Sequence, residues 1–111
     1  MPAFVPDAGD LVWLTFDPQA GHEQAGRLPA LILSPKSYNQ KSGLALVCPV
    51  TSQVKAYPFE VPVHGCGVRG VILADHVKSL DWKARQAAKI GRIPSPTLNE
   101  VLARLVPLLG Y

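Results

Sequence analysis

Apolar residues in this chain fall in short runs, each closed by glycine, proline or a polar cluster. "DLVWLTF" (Asp10–Phe16) follows Gly9 and is rich in β-branched and aromatic residues, which predicts a strand. The next residues, "DPQAGHEQAG", read as loop from their Asp-Pro, glycine and polar content. "PALILS" (Pro29–Ser34) predicts a second strand, entered through a proline at the first position, where a missing N–H is tolerated. "PKSYNQKSG" predicts a turn with room for one helical turn at Ser37–Gln40, and "LALVCPV" (Leu44–Val50) a third strand. "YPFEVPV" alternates, but Pro58 and Pro62 place it at an edge or bend. "HGCG" reads as a tight turn, "GVILA" as a short strand and "DHVKSL" as a single helical turn, while "WKARQAAKIGRI" fits strand and helix alike.

The helical period is clearest at the C-terminal end. Leu98, Val101, Leu102, Leu105 and Leu109 recur at spacings of three and four. Ser95 is placed to cap this helix, Pro96 suits its first position, and Pro107 should end or distort it. Short strands followed by one amphipathic helix predict a mainly β (α+β) fold. The expected form is a small SH3-like barrel of short antiparallel strands, closed or nearly so, with the helix packed on it. At 111 residues the chain forms one domain, 1–111.

Hydrophobic content of 48% supports a packed core, and no apolar run reaches the ~18 residues of a membrane span. No signal peptide is visible at the N-terminus, so a cytoplasmic location is expected by default, with no membrane partner. Cys48 and Cys66 read as free thiols, and Cys48 lies in an apolar strand, where a small buried residue is expected rather than a nucleophile. The charge is asymmetric: residues 1–23 carry −4 and residues 24–111 carry +7. The densest basic stretch, "KSLDWKARQAAKIGR", holds Lys78, Lys83, Arg85, Lys89 and Arg92 against Asp81 alone. Such a block is either a solvated surface or a footprint for a polyanion. Trp82 within it could stack on a base or belong to the core.

No HExxH motif, cysteine pair or spaced carboxylate cluster points to a metal, and neither GxGxxG nor GxxxxGK[ST] points to a nucleotide cofactor. Neither metal nor cofactor is therefore expected. Three polar groups remain at strand ends: the Glu23–Arg27 loop, Thr51-Ser52 after the third strand, and the basic block. Taken singly, each is ordinary turn or surface chemistry.

Taken together, they lie within a longer resemblance. "VPDAGDLVWLTFDPQAGHEQAGRLPALILSPKSYNQKSG", "CPVTSQVKAYPFEV", "GVILADHVKSLDW" and "KARQAAKIG" resemble, in order, the MazF/PemK-like mRNA interferases, toxins of bacterial toxin–antitoxin pairs. The resemblance spans nearly the whole chain. It implies a PemK-like barrel, a homodimer, and sequence-specific cleavage of single-stranded RNA. It also implies a cognate antitoxin whose acidic C-terminal tail competes for the RNA groove.

The implied chemistry needs no metal. The ribose 2′-hydroxyl attacks the adjacent phosphate and expels the 5′-oxygen, leaving a cyclic phosphate and a 5′-hydroxyl. That requires a base, an acid, and donors for the charged phosphorane. By the resemblance, Thr51 matches the catalytic threonine, Glu23 a loop glutamate and Arg85 an arginine that could clamp phosphate bidentately. His22, Gln24, Ser52, Lys55, Lys78, Trp82 and Lys83 become candidates for contacting the RNA, with His22 also an outside candidate for the acid. One departure stands out. The family arginine immediately before the proline is Leu28 here, and Arg27 lies one residue earlier, so on a strand it starts on the opposite side. Either Arg27 reaches the phosphate by loop rearrangement, or Arg85 serves with Thr51, or activity is weak. A gyrase-binding toxin and an RNA-binding domain without activity are the competing readings.

Overall fold

The computed structural model describes residues 4–16 and 26–111. Most of the loop expected after Phe16, with His22, Glu23 and Gln24, lies outside the described residues. In chain order the elements are β1 (Asp10–Thr15), β2 (Arg27–Ile32), α1 (Lys36–Ser42), β3 (Leu44–Thr51) and β4 (Glu60–Pro62). They continue with β5 (Val71–Leu73), β6 (Lys78–Asp81), β7 (Ala88–Arg92) and α2 (Ser95–Leu108). The strands pair antiparallel in the order β4-β5-β3-β2-β1-β7, with β6 also paired to β3.

β3 is the element around which the sheet bends. Leu44–Val47 pair with β6, and Val50–Thr51 pair with β5, so one edge of the strand changes partner along its length. β4 and β7 end the longest run of paired strands, and the change of partner along β3 bends the sheet into the small barrel-like form expected. Pro62 lies in β4, which among the described residues pairs only with β5, as the edge reading of "YPFEVPV" predicts.

Side chains alternate between two apolar clusters. Leu11, Leu31, Cys48, Val50 and Ile72 form one, with Val101 from α2. Val12, Leu14, Ala30, Ile32, Ala45 and Val47 form the other, with Trp82. α2 buries Val101 and Leu105 and leaves Val106 and Leu108 exposed, followed by exposed Leu109 at its C-cap.

Three local expectations are corrected and one ambiguity is resolved. "DHVKSL" contributes to strand β6 rather than a helical turn, because the first half of β3 offers it a ladder. The ambiguous stretch resolves into a turn and strand β7. Ser95 is the first residue of α2 rather than its cap; Pro94 holds that position, with no side-chain capping bond. α1 is also longer than the single turn expected, and its Asn39 is wholly buried.

Candidate active site

β1 and β2 run antiparallel, so the end of β1 and the start of β2 share one end of the sheet, with Thr15 opposite Arg27. Arg27 Nη1 donates to Thr15 Oγ1 (3.2 Å) and to the Arg85 carbonyl (3.4 Å), and Nη2 donates to the Gln86 carbonyl (2.6 Å). Arg85 Nη1 donates to the Thr15 carbonyl (3.0 Å), and the Thr15 N–H donates back to the Arg85 carbonyl (3.1 Å). Two guanidinium groups therefore meet around one threonine. Gln86 is left-handed (φ 58°), a conformation uncommon for a residue with a Cβ, in the turn that presents these carbonyls.

Thr51 closes β3 at the same end of the β2–β3 pair, but on the other side of the sheet. The ladder pairs Ala30 with Pro49 and Leu31 with Cys48. Continued two residues, this register sets Thr51 beside Leu28, whose side chain packs on the cluster containing Ala30 and Ile32. Arg27 shares the side of Leu31. The period of two thus works as expected: leucine, not arginine, stands on the threonine's side. The structure brings Arg27 and Arg85 together and leaves Thr51 at the same end of the sheet, facing the other way.

The Thr51 hydroxyl is positioned by its surroundings. Its oxygen accepts the Gln53 N–H (3.1 Å), which leaves its own hydrogen available for donation. The loop beyond is held by buried Glu60, whose two carboxylate oxygens accept the N–H groups of Lys55 and Ala56, both at 2.8 Å. Behind Thr51 lies Gly70 at φ +138°, where an added Cβ would overlap the Thr51 carbonyl oxygen. Only glycine fits there.

The basic block does not form one footprint. At the far end of β1, Arg92 Nη1 donates to buried Asp10 (2.7 Å), with Lys89 Nζ at 3.8 Å from the same oxygen. Lys78 starts β6, and Lys83 is exposed in the turn after it, as Ser52 and Lys55 are after β3. Trp82 corrects the stacking expectation. It is 8% exposed within the second cluster, and its indole N–H donates to the Asn39 carbonyl (3.0 Å). The exposed tryptophan is Trp13, at 42%.

Cys48 is wholly buried, and burial, followed by the charge of Asp75, pushes its thiol up to about 12, so it does not supply a thiolate near neutrality. Burial, aided by a hydrogen bond donated to Asp75 (2.7 Å), likewise pushes the Tyr57 phenol up. Among the described residues no three or more His, Cys, Asp and Glu side chains group to hold a metal, and no helix is long and apolar enough to cross a membrane.

Sequence reasoning missed Thr15, Glu60 and Gly70. Glu60 carries a signal in retrospect, as an acidic residue between Phe59 and Val61 in an otherwise apolar strand. Gly70 and Thr15 carry none, because their roles depend on which strands become neighbours.

Comparison with known proteins matches this architecture end to end. Residues 7–109 match the family described as PemK-like, MazF-like toxin of type II toxin-antitoxin system. The endoribonuclease toxin MazF of Escherichia coli K12 is 50% identical over 107 residues, covering 96% of each chain. The endoribonuclease PemK of Escherichia coli is 38% identical over 108 residues, covering 93% of this chain and 81% of its own. The crystal structure of MazF from Deinococcus radiodurans superposes with a TM-score of 0.95 at 56% identity, covering 98% of this chain and all of that one. A MazE–MazF crystal structure from the same organism gives a TM-score of 0.88 at 57% identity, covering 97% of this chain and 98% of that one. The chain therefore belongs to the PemK-like, MazF-like toxins of type II toxin–antitoxin systems.

Proposed function

We propose that the protein is an endoribonuclease toxin that cleaves single-stranded RNA without a metal and is held in check by a cognate antitoxin. The observation that carries this reading is the similarity along almost all of the chain to the endoribonuclease MazF of Escherichia coli, at 50% identity. The MazE–MazF structure from Deinococcus radiodurans supports an antitoxin partner of the same kind. The basic corner gives an acidic antitoxin tail something to compete for. RNA as substrate makes the cytoplasm the place of action. A homodimer completes the reading, supported by the exposed Val106 and Leu108 of α2 and Leu109 at its C-cap.

In this mechanism the 2′-hydroxyl loses its proton to a base and attacks phosphorus. The bond to the 5′-oxygen breaks, and that oxygen takes a proton from an acid. Thr51 donates its hydroxyl hydrogen to a phosphate oxygen. Arg27 starts on the opposite side of the sheet and must be brought over by rearrangement of the loop before β2, releasing its bonds to Thr15 and Gln86. With Arg85 it then supplies the positive charge that the phosphorane needs, the role the family gives to the arginine replaced here by Leu28. Guanidinium groups suit it because they remain charged and bind phosphate through two parallel N–H groups. Glu23 is the base and His22 the acid in this proposal, with Gln24, Ser52, Lys55, Lys78 and Lys83 along the RNA path.

Incubation with long single-stranded RNA in EDTA, followed by mapping of the ends, separates the readings. Specific cuts with 5′-hydroxyl ends support the ribonuclease. Binding without cuts makes the protein an RNA-binding domain, and gyrase inhibition with intact RNA makes it a gyrase-binding toxin.

A further inference from the structure

We propose that Trp13 is the stacking platform for a base of the bound RNA; this rests on the ribonuclease reading above. Trp13 is 42% exposed, while its neighbours Val12 and Leu14 are wholly buried. A single exposed aromatic is unremarkable on a protein surface. Its position is what matters. Along β1 and β2 the pairs on this side of the sheet run Leu11–Leu31, then Trp13–Pro29, then Thr15–Arg27. The indole thus sits between the apolar cluster and the two guanidinium groups, about 7 Å along the strand from Thr15. Its cross-strand partner on the other flank is Ala88. Proline and alanine are both small beside an indole, and 42% of the residue remains exposed.

An open aromatic face beside fixed positive charge is the combination by which proteins hold single-stranded nucleic acid. The cations attract phosphate, and the ring stacks on a base. Trp82 and Tyr57 lack one half of that pairing. Trp82 is buried, and Tyr57 packs on Phe59 and donates to Asp75. Tyr38 is exposed near Lys41 but lies on α1, beyond the far end of β2 from Arg27 and Arg85.

The test uses a mixed-sequence single-stranded RNA with 2′-O-methyl riboses, which cannot be cleaved by 2′-oxygen attack. Its binding is followed by fluorescence anisotropy. Trp13→Ala is expected to raise Kd about tenfold, within the range for losing one base–aromatic stack, and Trp13→Phe to stay within about threefold of the starting protein. In the unaltered protein the same RNA should protect the acrylamide-accessible tryptophan fluorescence, a readout that needs no variant. Unchanged affinity of Trp13→Ala, or unprotected fluorescence on saturation with RNA, overturns the proposal alone. Sedimentation of Trp13→Ala as a monomer where the unaltered protein is a dimer also overturns it, by assigning the indole to contact between copies. Failure of the unaltered protein to bind the RNA removes the ribonuclease reading, and this proposal with it.

Discussion

Gly70→Ala tests how Thr51 is held in place. The added Cβ would overlap the Thr51 carbonyl oxygen and lie 2.9 Å from its carbonyl carbon and 3.3 Å from Ser52 Cα. Carbon atoms prefer about 3.5–4.0 Å, so the end of β3 must move by on the order of 1 Å. Overpacking of this kind costs ~2 kcal/mol, and the φ of +138° adds ~1 kcal/mol of backbone strain for a residue with a side chain. The sum, about 3 kcal/mol, lowers Tm by roughly 12 °C for a domain of this size. A shift of ~1 Å at a reacting group reduces the rate by about a hundredfold. Gly67→Ala is the matched control: its φ is also positive (+67°), but an added Cβ meets nothing within 4 Å. It should lose only about 1 kcal/mol and keep its cleavage rate. Thermal unfolding by circular dichroism and cleavage of a fluorophore-labelled RNA, below both Tm values, read the two effects separately. If Gly70→Ala cuts as fast as Gly67→Ala, Thr51 is not positioned by this contact.

Other consequences follow from named contacts. Arg92→Ala leaves the buried Asp10 carboxylate with the Asp7 N–H (2.9 Å) and Lys89 and should destabilise the fold by about 2 kcal/mol in urea unfolding, less than for a fully buried pair because Arg92 is half exposed. Asn39→Ala removes hydrogen bonds to the Pro6 and Ser34 carbonyls (2.8 and 2.9 Å) and should cost about 2–3 kcal/mol by the same measurement. At pH 8, iodoacetamide should modify exposed Cys66 and spare Cys48 until the protein unfolds, as read by mass spectrometry. The hydrogen bond from the Lys36 N–H holds the Asp7 carboxyl below its usual range. A depressed folded pKa stabilises the protein above the unfolded value of ~3.9 and is lost as pH falls through the folded one, so Asp7→Asn should flatten the acid limb of the stability profile.

What could be read in the chain were the features set by local pattern. β1, β2, β3, β5 and α2 carry their periods openly, and alternation alone foretold that Arg27 and Leu28 point to opposite sides. What could not be read depends on partners distant in sequence. "DHVKSL" becomes strand because β3 lies beside it. The basic block divides because Asp10 captures Lys89 and Arg92, while Thr15 captures Arg85. Which tryptophan is buried is decided the same way. Trp82 finds the Asn39 carbonyl and the second cluster, whereas the strands beside Trp13 present only proline and alanine.

The central claim is that the start of β2 rearranges so that Arg27, with Arg85, joins Thr51 on one phosphodiester, and a double-mutant cycle on the cleavage rate tests it most directly. Groups working as a unit are strongly non-additive. Thr51→Ala alone and Arg27→Ala/Arg85→Ala together should each slow cleavage by about a hundredfold or more, and the triple variant should be little slower than either. Rate losses that simply multiply, or an arginine variant that cuts at the starting rate, would contradict the account.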